Sequence, residues 1–486
     1  MSKAAVIGKP IGHSLSPAIF TFLSHEQNFQ YSSQEVDATE LPQFIQNFRN
    51  DSEMVGLNVT IPHKELVIDH LDELSPEVRV TGASNVIHKS QGKLTGYNTD
   101  ICGILMTLKN HHKGSLSGKR AWVLGAGGAA RAVLYALGEL KLGQVDVVNR
   151  TAERSLKLVK QMKQFFPSTE WRAVSGSDET GKDASIYFEP GDSFSLIINA
   201  TPLGMSADLL KRDAFYSIPL FIRVFTAMET SKISDEETSA EQKKTGFRIE
   251  KGAVAFDLIY RPENTPFLNI AKQYGLIPVG GLEMLVEQAL AAWKIWFGPV
   301  PNMDAQKTPL LNFLRNRPIF LTGFMGAGKS TVGKILSQRL SRDFLDLDRV
   351  IEAKENKTIG QIFEEKGEAV FREIEFKEFK KYFLSPNTVL ALGGGTLLNP
   401  QIRSLILKVG TLIYLRTKPE TIAKRIKSQN QVRPLLTSLG DLEQEAKIET
   451  LLKERESFYL QAQVQVDTDT LTPEEISDQI SERLVY

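Results

Sequence analysis

The segment PIFLTGFMGAGKSTVGK, residues 318–334, decides the architecture of the second half of the chain. A short apolar run enters the turn Gly323-Phe-Met-Gly326-Ala327-Gly328-Lys329-Ser330-Thr331, which fits G-x-x-x-x-G-K-[ST], and an amphipathic stretch follows. Glycines at those places let successive backbone N–H groups curl around phosphate oxygens at a helix N-terminus, where the dipole favours anions. Lys329 then reaches the β- and γ-phosphates, and the Ser330 hydroxyl ligates Mg²⁺. The segment predicts a strand, a phosphate-binding loop and a helix in a mainly parallel α/β sheet.

Further along, the runs FLDLD (344–348), VLALGGG (389–395) and TLIYL (411–415) supply more strands. Asp346 and Asp348 alternate with Leu347 there, so on a strand both carboxylates face one side of the sheet. One acid near Mg²⁺ and one near an alcohol acceptor would suit phosphoryl transfer; two acids capping the next helix is the competing reading. Gly393-Gly394-Gly395 ends an apolar strand where backbone can approach a ligand, or simply turns. Arg372, Arg433 and Arg455 are unremarkable one at a time.

The first half repeats the strand–helix alternation with different motifs. Its runs are KAAVIG (3–8), YSSQEVD (31–37), GLNVTIP (56–62), RAWVLGAGG (120–128), QVDVVNR (144–150), LIINATP (196–202) and VAFDLIY (254–260). Gly125-Ala126-Gly127-Gly128-Ala129-Ala130 is G-x-G-x-x-A directly after a strand, which by itself is weak evidence for a dinucleotide. The next strand ends in Asn149, Arg150 and Thr151, with Arg154 close by, where an NAD site would usually place an acid for the ribose. A guanidinium there welcomes a 2′-phosphate, so NADP is favoured over NAD. Upstream, Ser14 and Ser16 share a turn, Asn58, Thr60 and Lys64 cluster at a strand's end, and Asp100 follows Asn98 and Thr99. Hydroxyls, amides and one Lys–Asp couple suit a polyhydroxy acid, although a lone Lys is usually solvated and such an Asp usually caps a helix.

Composition narrows the rest. The 486 residues suggest two or three domains, and 58 basic against 58 acidic side chains leave no net field for nucleic acid or an anionic membrane. Cys102 is the single cysteine, which excludes an intramolecular disulfide and disfavours a cysteine-based metal site. With strand-like sequence from the start and no ~20-residue apolar run, a soluble cytoplasmic protein is expected. The stretch 299–317, rich in Pro, Asn and charge, reads as a linker, and the polar stretch 232–246 as a solvent-exposed insertion.

In the second half, GFMGAGKSTVGK (323–334), FLDLDRVIE (344–352), GEAVFREIE (367–375), LALGGGTLL (390–398), RPLL (433–436) and RESFY (455–459) together resemble shikimate kinase. The resemblance implies a P-loop domain of the nucleoside-monophosphate-kinase type over 318–486. ATP would lie on Gly326, Ala327, Gly328, Lys329, Ser330 and Thr331, beneath a lid carrying Arg433. Asp348, Arg372, Gly394, Gly395 and Arg455 would hold shikimate, Asp348 and Lys329 would be catalytic, and Ser330 and Asp346 would serve Mg²⁺. Arg425 or Lys427 over the adenine stays open, because the segment before Arg433 is a residue short.

The first half, with GASN (82–85), INATPLGM (198–205), DLIYRPENTP (257–266) and GGLEMLVEQALAAWKIW (280–296), resembles shikimate dehydrogenase over about 1–298. That implies a substrate domain, 1–104 completed by 267–298, and an NADP-binding Rossmann domain, 105–266. Ser14, Ser16, Thr60, Asn85, Tyr260 and Gln288 would hold the substrate, and Lys64 and Asp100 would form the catalytic couple. Gly125, Gly127, Gly128, Ala129, Asn149, Arg150, Thr151 and Arg154 would hold NADPH/NADP⁺. Val86 stands where the family usually has Thr, Phe20 replaces a common His, and the 205–257 interval is long. The expectation is a bifunctional enzyme that reduces 3-dehydroshikimate and phosphorylates the shikimate formed. An NAD-dependent quinate/shikimate dehydrogenase, or one half acting only as a ligand sensor, are the rivals.

Overall fold

The computed structural model describes residues 1–25, 27–175, 193–204, 248–298, 303–428 and 441–484; the 232–246 stretch and Arg433 lie outside them. Two compact units result: Met1–Ser16 with Glu26–Lys307, and Pro17–His25 with Thr308–Tyr486.

The first unit begins with six strands, β1 (Ser2–Gly8), β2 (Phe29–Glu35), β3 (Met54–Val59), β4 (Glu73–Leu74), β5 (Val86–Ser90) and β6 (Lys93–Tyr97). They lie in the order β2-β1-β3-β5-β6-β4. β1 pairs in parallel with β2 and β3, but β3–β5 and β5–β6 are antiparallel. The hairpin turns at Gln91 (φ +50°) and Gly92 (φ +79°), a pair of left-handed residues matched to the twist of a tight hairpin. Ala5, Ile7, Leu57, Val59, Ile87 and Leu94 form its core with Leu41, Ile45 and Phe48. The helices in this stretch are α1 (Ser16–Leu23), α2 (Leu41–Asn50), α3 (His63–Leu66), α4 (Pro76–Thr81) and α5 (Thr99–His111). Of these, α1 after Ser16 groups with the second unit, where Phe22 packs on Phe313 at 5.1 Å between ring centroids.

A second sheet follows from β7 (Arg120–Leu124), β8 (Gln144–Asn149), β9 (Glu170–Ser175), β10 (Ser193–Asn199), β11 (Arg248–Asp257) and β12 (Ile277–Val279). It is parallel, in the order β12-β11-β10-β7-β8-β9, so the strand order reverses between β7 and β10. In such sheets the crevice at the reversal is where ligands bind. Its helices are α6 (Gly128–Glu139), α7 (Ala152–Phe165) and α8 (Pro266–Gln273). Residues 267–279, expected with the substrate domain, stay on this sheet: β12 pairs with β11, and Phe267, Leu268 and Ala271 join its core. The chain crosses back only with α9 (Gly281–Phe297), whose Trp296 Nε1 donates to the Ile87 carbonyl at 3.0 Å.

The stretch 299–317 also departs from expectation, since it carries a helix, α10 (Met303–Arg315), with Leu310, Phe313 and Leu314 buried. Prolines and charges masked an i, i+3, i+4 apolar row. At its start Lys307 pairs with Glu283 (2.7 Å) and Glu287 (2.6 Å).

The second unit is built on β13 (Ile319–Thr322), β14 (Asp343–Asp346), β15 (Thr388–Ala391), β16 (Thr411–Arg416) and β17 (Val464–Asp467), a parallel sheet in the order β14-β15-β13-β16-β17. Around it lie α11 (Lys329–Arg339), α12 (Leu347–Glu355), α13 (Ile359–Tyr382, kinked at Gly367), α14 (Pro400–Val409), α15 (Pro419–Ser428), α16 (Asp441–Tyr459) and α17 (Pro473–Leu484). Asp348 is therefore not on the strand with Asp346. The strand stops at Asp346, which caps α12 through the Arg349 amide at 3.3 Å, and Asp348 occupies the first turn of that helix. None of the described helices is long and apolar enough to cross a membrane.

Gly56 marks where α9 meets the first sheet, for a Cβ there would lie 2.1 Å from Trp296 Nε1. Gly56→Ala is expected to destabilise the first unit by roughly 2–3 kcal/mol, because the indole must move and leave its hydrogen bond. Gly12→Ala, with nothing within 4 Å of its Cβ position, should change stability by less than ~0.5 kcal/mol. Thermal unfolding of the two variants checks the contrast.

Candidate active sites

In the first unit, Lys64 projects from the short helix α3, which is anchored one residue earlier by buried His63, whose Nε2 lies 2.8 Å from the Val36 carbonyl. Its ammonium donates to Asp100 Oδ2 at 2.6 Å, and both side chains are largely enclosed. Asp100 sits in the first turn of α5, where the helix dipole favours a carboxylate. Asn85 Nδ2 donates to Asp100 Oδ1 at 2.8 Å, and Asn85 Oδ1 accepts the Thr99 amide at 2.7 Å. From α9, Gln288 Oε1 accepts from Asn85 Nδ2 and Thr99 Oγ1, each at 3.3 Å. Lys64, Asp100, Asn85 and Gln288 are thus joined in one network although 224 positions separate the first from the last. Thr99, which sequence reasoning missed, completes it.

Ser14 and Ser16 form a second group. The Ser16 amide donates to Ser14 Oγ at 3.3 Å, and Tyr31 donates to Asn58 Oδ1 at 2.5 Å. Burial pushes the Tyr31 phenol well up, against a smaller downward pull from the Ser16 hydroxyl. Thr60 follows the end of β3, its amide donating to the Ile7 carbonyl at 2.9 Å. Val86, at the family's usual Thr position, is fully buried in β5 opposite Asn58. Tyr260 follows the end of β11, and burial raises its phenol against a smaller effect of Arg261.

The glycine-rich turn after β7 lies at the strand-order reversal. Gly125 has φ +108°, and a Cβ on it would come within 2.9 Å of Thr201 Cγ2 and 3.1 Å of the Ala200 carbonyl oxygen. Gly127 faces open space, and Gly128 and Ala129 open α6, so backbone amides line a cradle that fits a pyrophosphate. At the end of β8, beside β7, Asn149 Nδ2 donates to the Thr151 carbonyl at 2.8 Å, closing the turn that presents exposed Arg150 and Arg154. Arg131, unremarked in the sequence, joins α6 to the substrate side through the Thr81 carbonyl (3.0 Å) and Glu65 (3.4 Å).

In the second unit the phosphate loop has Gly326 at φ +81° and Gly328 at φ +93°, and α11 starts at Lys329. Lys329 Nζ donates to the carbonyls of Gly323 (2.8 Å) and Phe324 (3.0 Å). The Ser330 hydroxyl donates to Asp346 Oδ2, a hydroxyl–carboxylate pair that fits Mg²⁺ bound mainly by phosphates and water. Ala327 is buried, and Thr331 follows in the first turn of α11.

Next to that loop, Gly393–Gly395 admits four side chains. A Cβ on Gly393 would lie 2.7 Å from Asp348 Oδ1, and one on Gly395 2.4 Å from Arg372 Nη2. Arg455 Nη1 donates to the Gly394 carbonyl at 3.3 Å, and Tyr459 Oη donates to the same carbonyl. Burial, with Asp346, Glu375 and Glu352 nearby, pushes the Asp348 carboxyl up to about 6 despite the opposing charge of Lys329. Glu375 was missed: wholly buried, it accepts from Arg372 Nη1 at 2.8 Å and from Thr396 Oγ1 at 2.5 Å. Its signal was its place three residues after Arg372 on one helix face. Arg425 donates to the Thr468 carbonyl at 2.7 Å and reaches the Ala327 carbonyl at 3.5 Å.

Comparisons with known proteins match this division. Family models described as the shikimate dehydrogenase substrate binding domain, shikimate/quinate 5-dehydrogenase and the shikimate 5′-dehydrogenase C-terminal domain match residues 6–87, 107–175 and 281–302. The shikimate kinase model matches 325–485. The shikimate dehydrogenase (NADP(+)) of Symbiobacterium thermophilum is 33% identical over 315 residues, 64% of this chain and 95% of the relative. That of Nitrosopumilus maritimus is 32% identical over 309 residues, 63% of this chain and 97% of the relative. The Thermus thermophilus shikimate 5-dehydrogenase solved with NADP(H) and shikimate is 32% identical, with a TM-score of 0.46 over 63% of this chain and 98% of its own. The chain belongs to the shikimate dehydrogenase family through its N-terminal part, and it carries a shikimate kinase domain behind it.

Proposed function

We propose that the first unit reduces 3-dehydroshikimate with NADPH and that the second phosphorylates the product from ATP. The observation that carries this is the Lys64–Asp100 pair, held at 2.6 Å by Asn85 and tied to Gln288. An ammonium fixed in that way can give its proton to an oxygen that gains negative charge as a ketone is reduced. Asp100 keeps Lys64 aimed, and Asn85 blocks rotation of the carboxylate. NADPH supplies the hydride when bound on the Gly125–Ala129 cradle, with Arg150 and Arg154 receiving its 2′-phosphate. Ser14, Ser16, Thr60 and Tyr260 supply hydroxyls for the ring substituents of the acid.

In the second unit Asp348 accepts the proton of the attacking hydroxyl, and Arg372 and Arg455 hold the carboxylate of the acid beside Gly394 and Gly395. Lys329 exchanges its carbonyl partners for phosphate oxygens, and Ser330 and Asp346 hold Mg²⁺, which offsets the phosphoryl charge when bound. Arg433 completes the nucleotide site in this reading.

A coupled assay on the full chain with 3-dehydroshikimate, NADPH, ATP and Mg²⁺ tests both halves. Lys64→Ala should cut NADPH consumption by about 10²–10⁴-fold and leave phosphorylation of added shikimate intact. Lys329→Ala should do the reverse, by about 10²–10³-fold. Accumulation of unphosphorylated shikimate by the wild type would refute the kinase assignment.

Arg150→Ala is expected to raise the KM for NADP by about tenfold and that for NAD far less. Equal effects on the two would favour the NAD-dependent rival.

The Asp348 carboxyl also makes a pH-dependent prediction. An acid held above its ordinary value is neutral in both states at low pH, but the unfolded chain ionises first as pH rises. Its cost to stability therefore appears between about pH 4 and pH 6 and is full above that. Asp348→Asn should stabilise the second unit at pH 7 by roughly 1–3 kcal/mol while abolishing phosphoryl transfer. Wild-type kinase kcat/KM should fall below about pH 6. Thermal unfolding at pH 4 and pH 7, with a pH–rate profile, checks the sign.

A further inference from the structure

The carboxyl ends of β10 and β11 meet in a buried polar cluster that no reacting group touches. Asn199 and Asp257 are the last residues of those strands, are register partners, and are fully buried, as is Thr265. Asp257 Oδ1 accepts from Asn199 Nδ2 at 3.0 Å and from the Ile259 amide at 3.1 Å, and Oδ2 accepts the Thr265 hydroxyl at 2.6 Å. Thr265 Oγ1 in turn accepts the Leu268 amide at 3.2 Å and caps α8. Both ends of the 257–265 segment are thus tied to one carboxylate, and Tyr260 lies between them. On the other side Asn199 Oδ1 accepts the amide and the hydroxyl of Thr201, at 3.1 and 2.6 Å. Thr201 is the residue packed where a Gly125 Cβ would be.

One carboxylate therefore sets two loops at once, the one that presents Tyr260 and the one that faces the glycine-rich turn. Only an ionisable acid or an equivalent pure acceptor suits the place. Asn199 supplies its own N–H, and the Thr265 oxygen already accepts, so its hydroxyl hydrogen must be given away. A buried donor left without its acceptor moves rather than stays.

We propose that Asp257, with Thr265 and Asn199, is a positioning residue of the dehydrogenase site that sets the substrate-side Tyr260 in register with the cofactor-side Thr201. This rests on the dehydrogenase reading given above. It extends the site to residues that touch neither ligand.

Thr265→Val in the full chain keeps the shape and removes the hydroxyl. It should raise the KM for shikimate and for NADP by about tenfold each in the oxidative assay, since a misplacement near 1 Å is costly in such sites. Thr265→Ser should restore both to within about twofold, and the kinase activity of the same chain should not change. In a Tyr260→Phe background, Thr265→Val should add nothing to the shikimate KM while still raising that for NADP. A merely structural role would lower the thermal midpoint and give additive effects in either background, and KM values within about twofold of wild type would overturn the proposal. Asp257→Asn, read the same way, serves if the valine variant does not fold. A wild-type chain that failed to oxidise shikimate with NADP at all would instead overturn the reading beneath, and the proposal with it.

Discussion

When a parallel strand runs directly into a helix, the first backbone amides of that helix have no partner within it. The chain uses this twice, after β7 and after β13, and each time glycines keep side chains away from the exposed N–H groups. Phosphate is the natural partner for such a cluster, so both turns offer the same kind of cradle from the same backbone constraint. The strand-order reversal beside β7 opens a crevice at the first turn, and β15, which pairs with β13, brings Gly393–Gly395 up to the second.

The two sites handle charge in opposite ways. Lys64 and Asp100 pair directly, Asn85 Nδ2 donates to the second oxygen of Asp100, and the Thr99 amide in turn donates to Asn85 Oδ1. In the second unit burial raises the Asp348 carboxyl, and Asp346, Glu375 and Glu352 add to the rise against the charge of Lys329. The guanidinium groups of Arg372 and Arg455 stand at the neighbouring glycines, Gly395 and Gly394. Glu375, by binding Arg372, keeps one of those guanidinium groups in place.

Both glycine-rich strand-to-helix turns were legible because they depend on spacing along the chain, and spacing is what a sequence displays directly. Asp348 was misplaced because D-L-D imitates the two-residue period of a strand, while the strand ends at Asp346, which is the N-cap of the next helix. The β5–β6 hairpin was invisible for a related reason: its left-handed turn uses Gln91 rather than the Asn or Asp that advertises one. Glu375 had a local signal, three residues after Arg372 on one helix, but Arg131 and the Asn199–Asp257–Thr265 cluster had none. Their meaning lies in which distant group each one meets, and no local pattern carries that. The helix at 303–315 was hidden by Pro309 and its charges and by the prolines before it, which in a composition count outweighed the buried row of Leu310, Phe313 and Leu314.

The grouping of α1 with the second unit has a consequence for how the chain is made. Roughly 290 residues separate Phe22 from Phe313, the ring it packs against. At ~5–20 residues per second, a ribosome needs on the order of 15–60 s to deliver the second after the first. During that interval the apolar face of α1 has emerged without its counterpart, within sight of any chaperone at the exit tunnel. Completion of this fold is therefore timed by translation, and its earliest helix is among the last to be buried.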